Sequence, residues 1–554
     1  MPIVASNLGM SDRWYKKAVV YCLDIDTFAD SNGDGVGDIR GLIGRLDYLA
    51  RLGITCLWLN PIHPSPDRDD GYDVADFYNV DPRFGNLGDF AELLHQAGNL
   101  GIKVIIDLVV NHTSDQHPWF QSARSSPDSP YRDWYVWSET APADRHQGMV
   151  FPGEQGETWS YDRTAKAWYY HRFYKFQPDL NIKNPEVRAE IKKICAFWLQ
   201  LGVAGFRMDA VPFIIEETEP GNPNSPEDFD FLSDLRQFVQ WRKGDAMLLA
   251  EANVEPAQLV RYFGDAGGSN ARLHMLFDFS LNAKLMLALA RQDPEPIIEA
   301  LRETPKLPVG GQWATFLRNH DEIDLSRLTA EQRADVFAKF GPEPEMQLYG
   351  RGIRRRLAPM LGGDRRWLEL AYSLQFTLRG TPVLRYGEEI GMGDDLSLEG
   401  RDAIRTPMQW SHLPSGGFTT GEPVRPVVSG GEYGYHRVNV TDQRQDAGSL
   451  LAWFERMIRT LREAPEIGAG SCTHVDVPVP RGVLVHRADD VTGTMLFVHN
   501  LCAEDAVVDL SSVYPDAEFP NDVLTDQAYP DLDKFAAVPV AGHGYRWIRL
   551  RRCA

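Results

Sequence analysis

Eight short apolar runs separated by amphipathic stretches constrain this 554-residue chain more tightly than any other feature in it. The runs cover residues 19–25, 55–60, 103–110, 203–209, 246–251, 274–279, 313–318 and 381–385. Between them apolar residues recur at helical spacing, as at 87–100 and 185–201. A strand that leads into a helix reaches the next strand by a crossover, and crossovers give parallel pairing. Eight such units predict an α/β fold that closes as a (β/α)8 TIM barrel.

Two connections are too long for simple loops: residues 111–181 after the third run and 322–370 after the seventh. The first is predicted to be an inserted, loop-rich subdomain. Its aromatic stretches (WYVWSE, AWYYHRFYKFQPDLN) suit either the wall of a sugar site or a small aromatic core. The second is predicted to be a lid-like insertion. From about Cys472 the pattern alternates and turns are frequent, which predicts a C-terminal antiparallel β-sandwich. The expected division is a catalytic barrel over 1–110 and 182–465, subdomain 111–181, lid 322–370 and β-domain 466–554.

The 57 basic and 78 acidic residues give a net charge of −21, which repels phosphate backbones and anionic lipid surfaces. Nucleic acid and membrane are therefore not expected partners. The first residues show no basic leader with a long apolar run, and no stretch is apolar for long enough to span a bilayer, so the expected location is cytoplasmic. Six cysteines (Cys22, Cys56, Cys195, Cys472, Cys502, Cys553) stand far apart without a C-x-x-C pair, which suits reduced thiols better than a disulfide framework or zinc site.

In a parallel barrel the site forms at the carboxyl ends of the strands. Four runs end in chemistry-bearing residues: DLVVNH in Asn111 and His112, GFRMDAV in Arg207 and Asp209, LLAEAN in Glu251, and FLRNHD in His320 and Asp321. Cleaving a glycosidic bond needs a proton for the departing oxygen and a carboxylate at the oxocarbenium-like carbon; retaining enzymes hold the two carboxyls about 5 to 5.5 Å apart. An aspartate beside Arg207 suits the nucleophile. A glutamate in an apolar setting suits the acid.

These four segments, in this order and spacing, resemble the motif regions of the α-amylase superfamily, glycoside hydrolase family 13. The resemblance covers nearly the whole chain. It implies that Asp209 forms a covalent glucosyl intermediate, that Glu251 is the acid/base, and that Asp321 binds sugar hydroxyls and stabilises the transition state. It assigns His112, Arg207 and His320 to the glucosyl pocket. DDGYDVAD and RTPMQW further resemble members acting on the non-reducing end of short α-glucosides, in which residues matching Asp69 and Arg405 close the pocket beyond the first glucose. Tyr72 would offer that glucose a stacking face.

DSNGDGVGD places oxygen donors at alternate positions around two glycines, which suits calcium on Asp30, Asn32, Asp34, the Val36 carbonyl and Asp38. The bidentate glutamate of an EF-hand is missing, since its position is Gly41. Resemblance to trehalose synthases implies a second calcium site on Asn111, Asp179, Glu216 and the carbonyls of Phe213 and Ile214. No organic cofactor is expected.

Within the family the resemblance is nearest to trehalose synthases and short-chain α-glucosidases. It implies isomerisation of maltose and trehalose through a glucosyl-enzyme, with residues after Asp321 as the lid. Trehalose synthases carry tyrosine where this chain has Phe213, and a glutamate where it has Ser326. Hydrolysis or glucosyl transfer on maltose, trehalose, sucrose or similar small α-glucosides therefore stays open. A non-catalytic sugar-binding or transporter-partner role is the remaining alternative, and the three retained carboxylates argue against it.

Overall fold

The computed structural model describes residues 13–550, except 152, 223–224, 266–269, 469–470, 491–492, 514–519, 531 and 533–534. The eight predicted runs form strands β1 (Val20–Leu23), β2 (Cys56–Leu59), β3 (Lys103–Leu108), β4 (Gly205–Met208), β5 (Met247–Ala250), β6 (Met275–Phe277), β7 (Gln312–Thr315) and β8 (Thr381–Arg385). They close in the order β1-β8-β7-β6-β5-β4-β3-β2, with every pair parallel. Most strands are shorter than their runs, because the last residues of each run leave the ladder and become the mouth.

Alternation along the strands divides the core. Val20, Cys22, Trp58, Ile105, Leu249 and Phe277 fill the barrel with their neighbours. Tyr21, Leu23, Leu57, Ile106, Phe206 and Leu248 face the surrounding helices. At the mouth the inward positions turn polar: Asp107 on β3 is in register with Arg207 on β4, and Arg385 on β8 pairs with Asp24 beyond β1. Gly205 opens β4 because a Cβ there would sit 2.1 Å from the Met247 carbonyl oxygen.

Helix Pro185–Leu201 shows how the crossovers are specified. Asn184 caps it, Pro185 occupies the first turn, and its chain leaves through Gly202. Val187, Ile191, Ile194, Cys195 and Trp198 form its buried stripe, and burying each of the larger ones contributes about 2 kcal/mol.

Both long insertions have structure of their own. In 111–181 a three-stranded sheet (Trp137–Ser138, Ala167–Tyr170, Trp159–Asp162) follows helix Pro118–Ser125. Its aromatics divide between the two roles open from composition. Phe120, Tyr135, Trp137 and Tyr169 pack as a small core, Phe120 stacked on Trp137 and the other pairs edge to face, while Phe151, Arg172 and Phe173 face a cavity at the barrel mouth. After β7, helix Ala330–Phe340, with a Thr329–Gln332 capping box, lies against barrel helix Phe279–Arg291, and the small sheet Ile323–Asp324, Gly352–Ile353, Gln347–Leu348 leads back to the mouth.

At the C-terminal end five antiparallel strands run in the order Ser471–His474, Val483–Asp489, Thr494–Asn500, Tyr545–Leu550, Asn521–Thr525, with a second pair, Ala506–Val508 and Val538–Val540, beside them. The larger sheet is tied to barrel helix Arg365–Thr377: Trp547 donates to the Ser373 hydroxyl at 2.8 Å, and His499 bonds the same hydroxyl at 2.8 Å. Cys22, Cys56 and Cys195 are buried, Cys472 and Cys502 half-buried, and all five are free; Cys553 lies outside the described residues. No helix among the described residues is long and apolar enough to cross a membrane.

Candidate active site

Adjacent strands deliver the two central carboxyls. Asp209 follows β4 and Glu251 follows β5, and the register Met208↔Ala250 sets them side by side. The Glu251 N–H donates to the Met208 carbonyl at 3.1 Å. The chain then turns sharply at Ala210, whose φ of 46° is left-handed and unfavourable for a residue with a Cβ. Such strain is held only where the surroundings dictate it, often at functional sites.

Arg207, 1% exposed, organises the floor. Its Nη1 donates to Asp209 Oδ1 at 2.7 Å and to Asp107 Oδ1 at 2.9 Å, and its Nη2 donates to Glu251 Oε2 at 2.5 Å. Burial opposes its charge, but Asp107, Tyr72, Glu251 and Asp209 outweigh that and hold it cationic. Asp107 in turn is pushed up to about 7 by burial, against the pull of Arg207.

The other predicted pocket residues converge on the same cavity of about 540 Å³, whose lining includes Asp69, Tyr72, His112, Asp209, Glu251, His320 and Asp321. That volume accommodates a small ligand. The Tyr72 hydroxyl bonds His320 Nε2 at 2.8 Å and donates to Asp107 Oδ2 at 3.1 Å, and its ring stacks on His320 at 5.5 Å. His112 Nε2 meets the Tyr72 carbonyl at 3.1 Å. Burial lowers the pKa of both histidines, although Asp209 opposes this at His112 and Asp321 at His320.

Electrostatics separate the carboxyls. Burial pushes Glu251 up to about 8; Arg207 opposes this and Asp209 and Asp321 add to it. At Asp321 burial also acts upward, but Arg401, His320 and Arg405 prevail and hold it well below the usual carboxylate range.

The expected Asp69–Arg405 pair does not form in this structure. Arg405 Nη1 pairs with Asp70 Oδ2 at 2.7 Å, its Nη2 reaches Asp321 Oδ1 at 3.2 Å, and its Nε donates to the His320 carbonyl at 2.8 Å. It does not line the cavity, whereas Arg401 does. Arg401 Nη1 lies 3.0 Å from Asp321 Oδ1 and its Nε donates to Glu322 Oε2 at 2.8 Å. Asp69 takes a bond from Gln177 at 2.7 Å and is pushed up to about 7 by burial, with Arg401 its strongest opposing charge. The sequence reading missed Arg401, Asp107 and Asp70. Asp107 carried a legible signal, an acid at an inward position of KVIIDLVV.

Among the described residues no group of three or more His, Cys, Asp or Glu side chains is gathered for a metal ion. In the 30–38 loop the side-chain oxygens serve the loop itself. Asp30 accepts from the N–H groups of Asn32, Gly33 and Gly35 and from the Thr419 hydroxyl; Asn32 accepts from Asp34 and Asp34 from Val36. Asp38 takes the Ser31 N–H and hydroxyl and caps the following helix through Gly41. Each carboxylate oxygen has a second lone pair beyond the one an N–H occupies, so the oxygen set is chemically compatible with a hard cation. At the second expected site Arg172 holds the carboxylates: its N–H donates to Asp179 Oδ1 at 2.9 Å, its guanidinium pairs with Glu216, and it lies 4.7 Å from the centre of the Phe213 ring.

Residues 24–340 and 354–470 match the family described as alpha amylase, catalytic domain. The chain is 40% identical to the trehalose synthase/amylase TreS of Mycolicibacterium smegmatis over 559 residues, covering 99% of this chain and 94% of that one. It is 32% identical to the oligo-1,6-glucosidase of Parageobacillus thermoglucosidasius, covering 82% and 84%. Among solved structures, the trehalulose synthase MutB of Pseudomonas mesoacidophila superposes with a TM-score of 0.78 at 25% identity, covering 97% of this chain and 99% of that one.

Proposed function

From the premise that this chain belongs to the α-amylase family, and is therefore an enzyme of glycoside chemistry, we propose that it isomerises short α-glucosides of the maltose and trehalose type through a glucosyl-enzyme. The observation that carries the reading is the single guanidinium of Arg207 bonded to both Asp209 and Glu251. Sharing one guanidinium keeps the two carboxyls close together, which favours a retaining double displacement over the wider separation of inverting enzymes.

An Asp209 oxygen attacks the anomeric carbon as the bond to the leaving sugar breaks, and Glu251 gives its proton to the departing oxygen. The freed glucose turns over in the closed pocket. Glu251 then takes the proton from a hydroxyl of that glucose, which attacks the anomeric carbon and releases Asp209. Asp321, held anionic by Arg401 and Arg405, grips sugar hydroxyls, and Tyr72 offers the ring an aromatic face. Asp69 and Arg401 bound the pocket beyond the first glucose.

Hydrolysis is the second reading, favoured by one contact: where trehalose synthases are expected to carry a glutamate, the Ser326 hydroxyl accepts a 3.4 Å bond from Asn253. Closure still has Asn253 to Asp324 at 2.9 Å and Arg327 to Asn253 at 2.8 Å. Incubating the enzyme separately with maltose, trehalose and sucrose and resolving all products decides between them. A new disaccharide supports isomerisation or transfer, and glucose alone overturns it.

We also propose calcium on the Asp30–Asp38 loop as a structural ion, and on Asn111, Asp179, Glu216 and the Phe213 and Ile214 carbonyls in competition with Arg172. A cytoplasmic location is proposed too, supported by the five free thiols.

A further inference from the structure

Tyr349 has a φ of 54°, a left-handed backbone that a side chain disfavours. It sits in the insertion after β7, and the strain aims its ring at residues from two other segments. The ring centroid lies 5.0 Å from that of Phe151. Phe151 and Tyr174 are themselves stacked at 5.0 Å. Arg401, from the loop after β8, has its guanidinium 5.2 Å from the Phe151 ring and 5.6 Å from the Tyr349 ring. The same guanidinium holds Asp321 and Glu322.

We propose that Tyr349 is a positioning residue: with Phe151 it presses Arg401 onto Asp321 and seals the sugar pocket where the lid meets the inserted subdomain. The inference rests on the α-glucoside reading of this site. Cation–π contact is favourable when the cation is desolvated, and two aromatic faces leave Arg401 little freedom to turn toward solvent. Without the Tyr349 ring one face of the guanidinium is open, Asp321 loses a fixed partner, and water gains a path to the glucosyl-enzyme.

The test compares Tyr349→Phe, Tyr349→Ala, Tyr349→Gly, Arg401→Ala and the Tyr349→Ala/Arg401→Ala double variant on p-nitrophenyl α-glucoside, separating kcat from KM. Glycine relieves the strained backbone, so it keeps the fold while deleting the ring. The alanine and glycine variants are expected to raise KM about tenfold with a smaller change in kcat, phenylalanine to stay within about twofold, and the double variant to match Arg401→Ala alone. With maltose, the ratio of new disaccharide to free glucose is expected to fall in both ring-deleted variants. A glycine variant with wild-type KM, or losses that multiply in the double variant, would overturn the proposal. Failure of the wild type to form any disaccharide would overturn isomerisation instead, and leaves the aryl-glucoside comparison to judge Tyr349.

Discussion

Arg405 pairs with Asp70 and not with its neighbour Asp69, because Asp70 adopts a left-handed backbone (φ 50°) that turns the two carboxylates different ways. Burial raises the Asp70 pKa, but Arg405 and Arg425 overcome it and hold the group below the usual range. The pair therefore belongs to the support behind the pocket. Removing Asp70 takes the carboxylate shared by two guanidiniums, Arg405 and Arg425, at about 3 kcal/mol. Asp70→Ala is expected to lower the melting temperature by several degrees, measured by calorimetry; an unchanged transition would refute the structural role.

Arg401, and not Arg405, lines the cavity. Arg401→Ala leaves Asp321 and Glu322 without their shared partner inside the site. A loss of about a hundredfold in kcat/KM on p-nitrophenyl α-glucoside, near 2.7 kcal/mol, is expected. If Arg405→Ala impaired kcat/KM far more than Arg401→Ala while the protein stayed folded, the assignment would be reversed.

Glu251 predicts the alkaline limb. Its carboxyl is raised to about 8 by burial, so it is protonated below that pH and can act as acid, and ionised above it. In the free enzyme kcat/KM should fall about tenfold per pH unit beyond 8. Stability has the same sign: a raised folded pKa contributes fully below the unfolded value near 4.3 and is lost as pH rises through about 8. Glu251→Gln should abolish the limb on substrates with acidic leaving groups. A wild-type profile flat to pH 9.5 would sink the acid assignment.

Asp209→Asn removes the nucleophile while keeping the shape of the side chain. Activity is expected to fall by about four orders of magnitude. Intact-mass spectrometry with a slow fluoroglucoside should show a glucosyl adduct on wild type and none on the variant; an adduct of equal yield would place the nucleophile elsewhere.

The barrel was legible because each strand is a short apolar run set off by stretches of helical spacing, and Asp209, Glu251, Asp321, His112, Arg207 and His320 were legible because strand ends in a parallel barrel must meet. What lay beyond reading was side-chain direction in irregular segments. Asp69 and Asp70 are adjacent, and Arg401 lies in, and Arg405 just after, one short 3-10 turn, Gly400–Ile404. Only backbone dihedrals decide which member of each pair faces sugar. The aromatics of 111–181 posed the same difficulty, since composition alone could not divide Phe120 and Trp137 in the small core from Phe151 and Phe173 at the cavity.

Calcium on the 30–38 loop makes a separate claim. A cation bound only by the folded chain raises its stability by mass action, so chelator should lower the melting temperature and added calcium restore it. Asp34→Ala, which removes a proposed ligand without touching the Asp38 helix cap, should erase that response. A melting curve indifferent to chelator and calcium would remove the ion from this loop.

The last expectation concerns the shape of the pocket. Asp69, fixed by Gln177 at 2.7 Å, and Arg401, fixed by Asp321 and Glu322, both line the cavity. If they form the wall that ends the site beyond one glucose, substrate extends only toward the leaving group. Disaccharides should then react far faster than soluble starch, and the first product from any glucan should be glucose or a glucosyl transfer product. Asp69→Ala removes an acceptor meant for sugar hydroxyls and should reduce kcat/KM about a hundredfold on maltose, since an unpaired polar contact in the pocket is costly. Maltotriose or longer fragments appearing first from starch would show an open cleft, and would overturn the wall and the short-substrate reading together.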